Sequence, residues 1–259
     1  MLGAITGDII GSVHEHMATK TKEFPLFTAD SQFTDDTVLT VAVADCLLTG
    51  SSYVDKFHEY TRAYSDRGYG LRFFHWVLSG RRDPYNSGGN GSAMRVSPVA
   101  FAFQTLEEVL KEARSSAEVT HNHPNGIRGA EATAAATFLA RQGASKKEIR
   151  EIAEEQFGYD LSRTIASIRE TYTFDESCQG TVPEAITAFL ESEDYEDAIR
   201  LAISLGGDAD TLACIAGGIA APFYGGVPEN IATPAWALLD DRLRNTVTRF
   251  CEVYQIKWP

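Results

Sequence analysis

The chain has 259 residues, of which 23 are Lys or Arg and 36 are Asp or Glu, giving a formal net charge of −13. Its 44% hydrophobic and 23% charged residues match an ordinary globular protein and exclude a disordered, collagen-like or coiled-coil chain. The acidic balance argues against direct binding of nucleic acid or anionic lipid, so any anionic ligand must be held by helix N-termini or bound cations.

The opening Met1-Leu2-Gly3-Ala4-Ile5-Thr6-Gly7-Asp8 lacks a basic segment and meets an acid too early for a secretory leader. No apolar run approaches the roughly 20 residues of a membrane span. The expectation is a cytoplasmic, monomeric protein. Gly3, Gly7 and Gly11 share one stripe of a helix and predict close backbone packing against a neighbouring helix. His14-Glu15-His16 lacks the HExxH spacing of a zinc protease.

Thr34 precedes Val38, Leu39, Ala42, Val43, Cys46 and Leu47, and Gly50 follows, which predicts an amphipathic helix with an N-cap and a glycine stop. A second helix is expected over Tyr53–Tyr64, with Phe57, Tyr60 and Tyr64 on one side. The glycine-rich stretch Arg81–Ser92 reads as a functional loop. Its Gly88-Gly89 segment could offer backbone N–H groups to a diphosphate, although no strand precedes it and the GxGxxG pattern is absent. Val96–Phe103 is apolar, but Pro98 disfavours a central strand.

Capping boxes are expected at Thr105/Glu108, Ser145/Glu148 and Thr181/Glu184. Thr120–Asn125 reads as a second functional loop, and Gly126–Ala140 as a helix. The four cysteines are scattered without CxxC spacing, and Cys46 and Cys214 fall in helical runs as buried free thiols. With no hairpin signal and no βαβ rhythm, the chain reads as one all-α domain over residues 1–259.

Two acidic clusters stand out: Thr34-Asp35-Asp36-Thr37, and Gly206-Gly207-Asp208-Ala209-Asp210-Thr211 between two apolar runs. Either alone is an ordinary helix cap. If the fold joins them, four carboxylates share a small volume, which is unfavourable unless protons or cations intervene. Thr34, Asp35, Asp36, Asp208, Asp210 and Thr211 form an all-oxygen set suited to Mg²⁺, Mn²⁺ or Ca²⁺ rather than zinc. Six such side chains exceed what one Mg²⁺ uses, so a two-metal site fits better, with ions about 3.5–4 Å apart.

These segments resemble the ADP-ribosylglycohydrolase family. The resemblance rests on Gly7-Asp8-Ile9-Ile10-Gly11 with Glu15, Phe33-Thr34-Asp35-Asp36-Thr37 and Asn90-Gly91-Ser92-Ala93-Met94-Arg95. Thr120-His121 with Gly129-Ala130, and then Gly206–Thr211, complete the family order. It implies a compact multi-helix bundle with a dinuclear Mg²⁺ or Mn²⁺ centre at helix N-termini, held by Thr34, Asp35, Asp36, Asp208, Asp210 and Thr211. The implied substrate bears ADP-ribose, contacted by Asn90, Gly91, Ser92, Met94 and His121. The implied reaction is hydrolysis of the glycosidic bond to a protein acceptor, with Glu15, Asp35 or Asp36 assisting proton transfer. A small ADP-ribose conjugate as substrate, or a non-catalytic ADP-ribose-binding module, stays open as an alternative. Family members often carry a threonine where this chain has Ala209, and the chain is short for the family, so acceptor identity is not read from the sequence.

Overall fold

The computed structural model describes residues 1–256. Helix α1 (Leu2–Gly11) is buried along its whole length, as expected of a helix that is apolar all round. Its glycine stripe lies against α13 (Ala209–Phe223). The intervening chain comprises α2 (Asp35–Thr49), α3 (Tyr53–Ala63), α4 (Leu71–Leu78), α5 (Gly91–Met94), α6 (Val99–Ala102) and α7 (Leu106–Glu118). It continues through α8 (Pro124–Arg141), α9 (Lys146–Glu155), α10 (Ile165–Thr171), α11 (Cys178–Glu191) and α12 (Tyr195–Ile203). Beyond α13 come α14 (Glu229–Ala237) and α15 (Asp241–Val253). Among the described residues the only β pairing is an isolated bridge between Gly89 and Ser177. None of the described helices is long and apolar enough to cross a membrane.

The α1–α13 pair sits between two apolar cores. Val38, Phe57, Trp76, Val109 and Phe250 belong to one, which receives Ile5 and Ile9 from α1 and Cys214 from α13. Ile149, Val182, Phe189 and Ile199 belong to the other, which receives Ile10 from α1 and Leu212, Ile215 and Ile219 from α13. The backbones touch: a Cβ on Gly3 would lie 2.1 Å from Gly217 O, one on Gly7 2.1 Å from Ala213 O, and one on Gly11 2.5 Å from Asp210 Cα. Any side chain there would push α13 away, so the stripe does what its spacing predicts.

Local signals explain most helix ends. Thr34 accepts a hydrogen bond from Asp36 N at the start of α2, and Gly50 closes it in the left-handed region at φ 68°. The capping boxes of Thr105 and Ser145 form as expected. The third does not. Ser177 accepts from Gly180 N and starts α11 one turn earlier, while Thr181 turns its hydroxyl to Asp175 O at 2.9 Å. Helix α2 is also not amphipathic: Asp36 through Ala44 are all buried, because α1, α3 and α15 enclose it. Pro98 precedes α6 as its N-cap, so Val96–Phe103 is helical where it is regular. All four cysteines are buried free thiols.

Candidate active site

The two acidic clusters are brought together at the first turns of α2 and α13. Asp35 and Asp36 open α2, while Asp208 is the N-cap of α13 and Asp210 lies in its first turn. Thr211 Oγ1 reaches Asp36 Oδ2 at 3.4 Å, linking the clusters directly. Gly206 makes the approach to α13 possible. Its φ of 67° favours glycine, and a Cβ there would lie 2.8 Å from Thr19 O.

Asp8, which the sequence places in a matching segment without giving it a site role, joins the two helices. Its fully buried carboxylate accepts from Thr34 Oγ1 at 2.6 Å, Thr34 N at 3.0 Å, Thr37 N at 3.1 Å and the Thr37 hydroxyl. The acid thus anchors the N-terminus of α2 onto α1. The available signal was one acid in an otherwise apolar helix, which demands buried partners.

Among the described residues, none of Asp8, Asp35, Asp36, Asp208 and Asp210 pairs with Lys or Arg. Burial raises the Asp8 carboxyl to about 6, against the opposing pull of its hydrogen bonds. Burial, then the charges of Asp8 and Asp208, pushes Asp35 well above the usual carboxylate range. Burial followed by Asp8 and Asp35 does the same for Asp36, and burial followed by Asp208 and Asp36 for Asp210. Asp36 Oδ1 is buried with no hydrogen-bond partner. Crowded oxygen donors, an orphaned carboxylate oxygen and no protein cation fit hard divalent ions. The side chains stand around the site without closing into a cage: among the described residues, no three Asp, Glu, His or Cys groups form a ready-made metal site.

A cleft of about 600 Å³ opens over these carboxylates, within the size range of small-molecule sites. Glu15, Asp35, Asp36, Asp208, Asp210 and Thr211 line one end. Glu15 stands on the loop after α1, half-buried, its pKa raised by burial and then by Asp208. That loop is strapped down by Lys20, which donates to Tyr172 O and Leu205 O, and by Arg200, which donates to Lys22 O and Phe24 O. Asn90, Gly91, Met94 and His121 line the other side, and the exposed side chains of Leu71 and Phe174 border the cleft. A larger cavity, about 790 Å³, lies at the opposite end of the α1–α13 pair, and among the described residues no acid lines it.

Two expectations for the glycine-rich loop change. Ser92 is fully buried and donates to Gly126 O at 2.7 Å, so its hydroxyl supports the loop and does not reach the cleft. Most of the loop's N–H groups are taken as well: Asn86 N by Asn122 Oδ1, Ser87 N by Thr120 O, Gly89 N by Ser87 Oγ, and Asn90 N by Glu176 O. Among the described residues, Gly88 and Gly91 keep N–H groups without a protein acceptor. The Asn90 amide, in turn, donates to Asp208 Oδ2 at 2.7 Å and Thr181 Oγ1 at 3.0 Å, tying the loop to the second acidic cluster.

The ADP-ribosylglycohydrolase family model matches residues 1–256. The chain belongs to the ADP-ribosylglycohydrolase family. It is similar to the ADP-ribosylhydrolase ARH3 of Homo sapiens, at 30% identity over 89% of this chain and 86% of the relative. The ARH3 of Mus musculus is 29% identical over 89% and 84%. The ADP-ribosylarginine hydrolase Tri1 of Pseudomonas putida (strain GB-1) is 26% identical over 92% and 73%. A solved structure described as an ADP-ribosylglycohydrolase-related protein complex matches with a TM-score of 0.71 and 25% identity, covering 99% of this chain and 97% of that one. The all-helical fold is therefore that of the family, and the chain is an enzyme of the ADP-ribosyl glycohydrolase class.

Proposed function

We propose that this ADP-ribosylglycohydrolase is a divalent-metal-dependent hydrolase that releases ADP-ribose from a modified protein side chain. One observation carries the reading: buried carboxylates without protein cations, among them Asp36 with an orphaned oxygen, line one end of a cleft sized for a small molecule. Asp35, Asp36, Asp208 and Asp210, with Thr34 and Thr211, would hold two Mg²⁺ or Mn²⁺ ions. When bound, such ions supply positive charge to the ribose hydroxyls and lower the pKa of water.

The remaining work falls to the chain itself. Asp8 and Asn90 hold the two clusters in register through the hydrogen bonds described above. The Gly88–Gly91 loop and His121 orient the ADP-ribose moiety, and Glu15 carries a proton at its carboxylate as the glycosidic bond breaks through an oxocarbenium-like transition state. Its raised pKa brings proton exchange closer to neutral pH.

The test is turnover of ADP-ribosylated peptides, O-acyl-ADP-ribose and an ADP-ribosylated nucleobase, with and without Mg²⁺. Release of ADP-ribose from a peptide, abolished by chelator, is expected. Turnover of the small conjugates alone would move the assignment to them, and undiminished turnover in excess chelator would overturn the metal dependence.

A further inference from the structure

Among the described residues, one cation is buried in the cleft wall without an acid beside it. Arg95, which closes α5, is fully buried, and its guanidinium lies 4.2 Å over the Phe57 ring. Its Nη2 donates to Ser116 O at 2.9 Å and to Thr120 Oγ1 at 2.8 Å. Burial lowers its pKa to about 10, which leaves it charged at neutral pH. Thr120 Oγ1 in turn lies 2.8 Å from His121 Nδ1.

Counting protons fixes the direction of this chain. A threonine hydroxyl has one hydrogen to give and two lone pairs. Arg95 occupies a lone pair. If the hydroxyl hydrogen goes to His121 Nδ1, both groups are satisfied and the ring hydrogen sits on Nε2. If Nδ1 carried a hydrogen, Thr120 Oγ1 would accept twice and its own buried hydrogen would lose this acceptor, an unfavourable arrangement. An imidazolium would share that defect. It would also face the positive charges of Arg95 from α5 and Arg72 from α4, with the Tyr85 ring centroid 6.2 Å away. Burial and those two cations push the imidazole well below its ordinary pKa.

Resting on the ADP-ribose reading of the cleft, we infer that Arg95 and Thr120 are positioning residues that lock His121 as its neutral Nε2–H tautomer, a hydrogen-bond donor to an oxygen of the ADP-ribose moiety. The glycines of the loop leave room for that donor: a Cβ on Gly91 would lie 3.2 Å from Nε2, and one on Gly89 3.7 Å. The Arg95 charge polarises Thr120 and, through it, the imidazole, strengthening Nε2–H without placing a cation in the cleft. The sequence segments carrying Arg95 and Thr120-His121 thus act as one unit across the α5 and α8 ends.

Nitrogen-15 NMR of the full chain labelled at histidine reads the tautomer without any variant. At pH 7, His121 is expected with Nε2 protonated and Nδ1 unprotonated; a protonated Nδ1, alone or as imidazolium, overturns the inference. ADP-ribose calorimetry supplies the second arm. Thr120→Val should bind about tenfold more weakly, the scale of one lost hydrogen bond, while Thr120→Ser keeps the parental affinity. His121→Gln, whose amide N–H falls near Nε2, should bind better than His121→Asn, whose amide falls near Nδ1. Parental affinity in Thr120→Val, or equal loss in the Gln and Asn variants, overturns the inference. If the parental chain binds no ADP-ribose, the functional reading fails together with the ligand assigned to the donor, and the tautomer remains measured by the NMR.

Discussion

Asp8 Oδ1 accepts the Thr34 hydroxyl at 2.6 Å, so the residue that caps α2 is held by the one acid of α1. The consequence reaches the far cluster. Because Gly7 and Gly11 bring α1 onto the backbone of Ala213 and Asp210, the same helix positions both acidic N-termini.

Asp8→Ala removes the acceptor of four donors on Thr34 and Thr37. Orphaned buried donors cost about 1–3 kcal/mol each. Relief of the raised carboxyl returns about 3 kcal/mol at pH 7, given its shift from 3.8 to about 6. Four such donors outweigh that return, so urea denaturation of the metal-free protein should show a net destabilisation. Turnover should fall about a hundredfold as the α2 carboxylates lose their register. Parental stability and turnover together would reduce Asp8 to a dispensable core acid.

Gly3→Ala and Gly7→Ala separate packing from function. Both place a Cβ 2.1 Å from a backbone carbonyl of α13, so each should lose about 1–3 kcal/mol or more. Gly7 adjoins Asp8, whereas Gly3 lies at the opposite end of α1, beside the acid-free cavity. Turnover measured under conditions where both variants are folded should drop far more for Gly7→Ala. Equal activity loss would mean that the helix pair moves as one body.

How much of this was legible in the sequence depends on range. Thr34, Gly50, Thr105/Glu108 and Ser145/Glu148 act over a few residues, and their caps form as read. Thr181/Glu184 has the same pattern, but Ser177 starts the helix earlier and the tertiary contact of Thr181 with Asp175 takes its hydroxyl. The glycine stripe was readable because spacing alone puts it on one face. Asp8 stands in the first of the matching segments, but its structural role has no local trace because its partners lie 26 and 29 residues away. Ser92 was misread for the opposite reason: a motif says nothing of which side chains point inward. The Asn90–Asp208 bond, across 118 residues, has no local trace at all.

Glu15→Gln keeps the shape of the loop acid and removes its proton chemistry. The side chain is half-buried on a loop held by Lys20 and Arg200, so the melting temperature should change little. Turnover should fall by about 10²–10⁴-fold, the range for losing a general acid or base. A variant that works at the parental rate would leave Glu15 as a loop acid beside His16.

The metal-free protein should show an inverted acid profile. Asp8, Asp35, Asp36 and Asp210 all have folded pKa values raised above the ordinary range. An acid raised on folding binds more protons in the folded state between the two pKa values, so its stabilising contribution is full below about pH 4 and lost as pH rises through the folded value. For Asp8 that window runs from 3.8 to about 6. With chelator present, this site should therefore make stability decline from pH 4 to 6, against an opposing gain from His121, whose lowered pKa makes stability rise with pH below about 6.5. Thermal melts of the parental chain and Asp8→Asn at a series of pH values isolate the Asp8 share. A parental profile that rises from pH 4 to 6 by as much as that of the variant would show that the carboxylates are not strained.

Divalent ions should reverse that decline. A cation binding only the folded chain adds RT ln(1 + [L]/Kd), about 2.7 kcal/mol at a hundredfold excess over Kd. For a chain of this length the melting temperature should rise by roughly 5–10 °C with Mg²⁺ or Mn²⁺ at pH 7. The Asp36→Asn/Asp208→Asn double variant removes two charges from the crowded set, so it should melt higher than the parent without metal and gain less with it. The melts must be compared at constant ionic strength, because the net charge of −13 is screened by any added salt. A rise equally large with Na⁺ at matched ionic strength, or one undiminished in the double variant, would place the effect on the acidic surface and leave both clusters as helix caps.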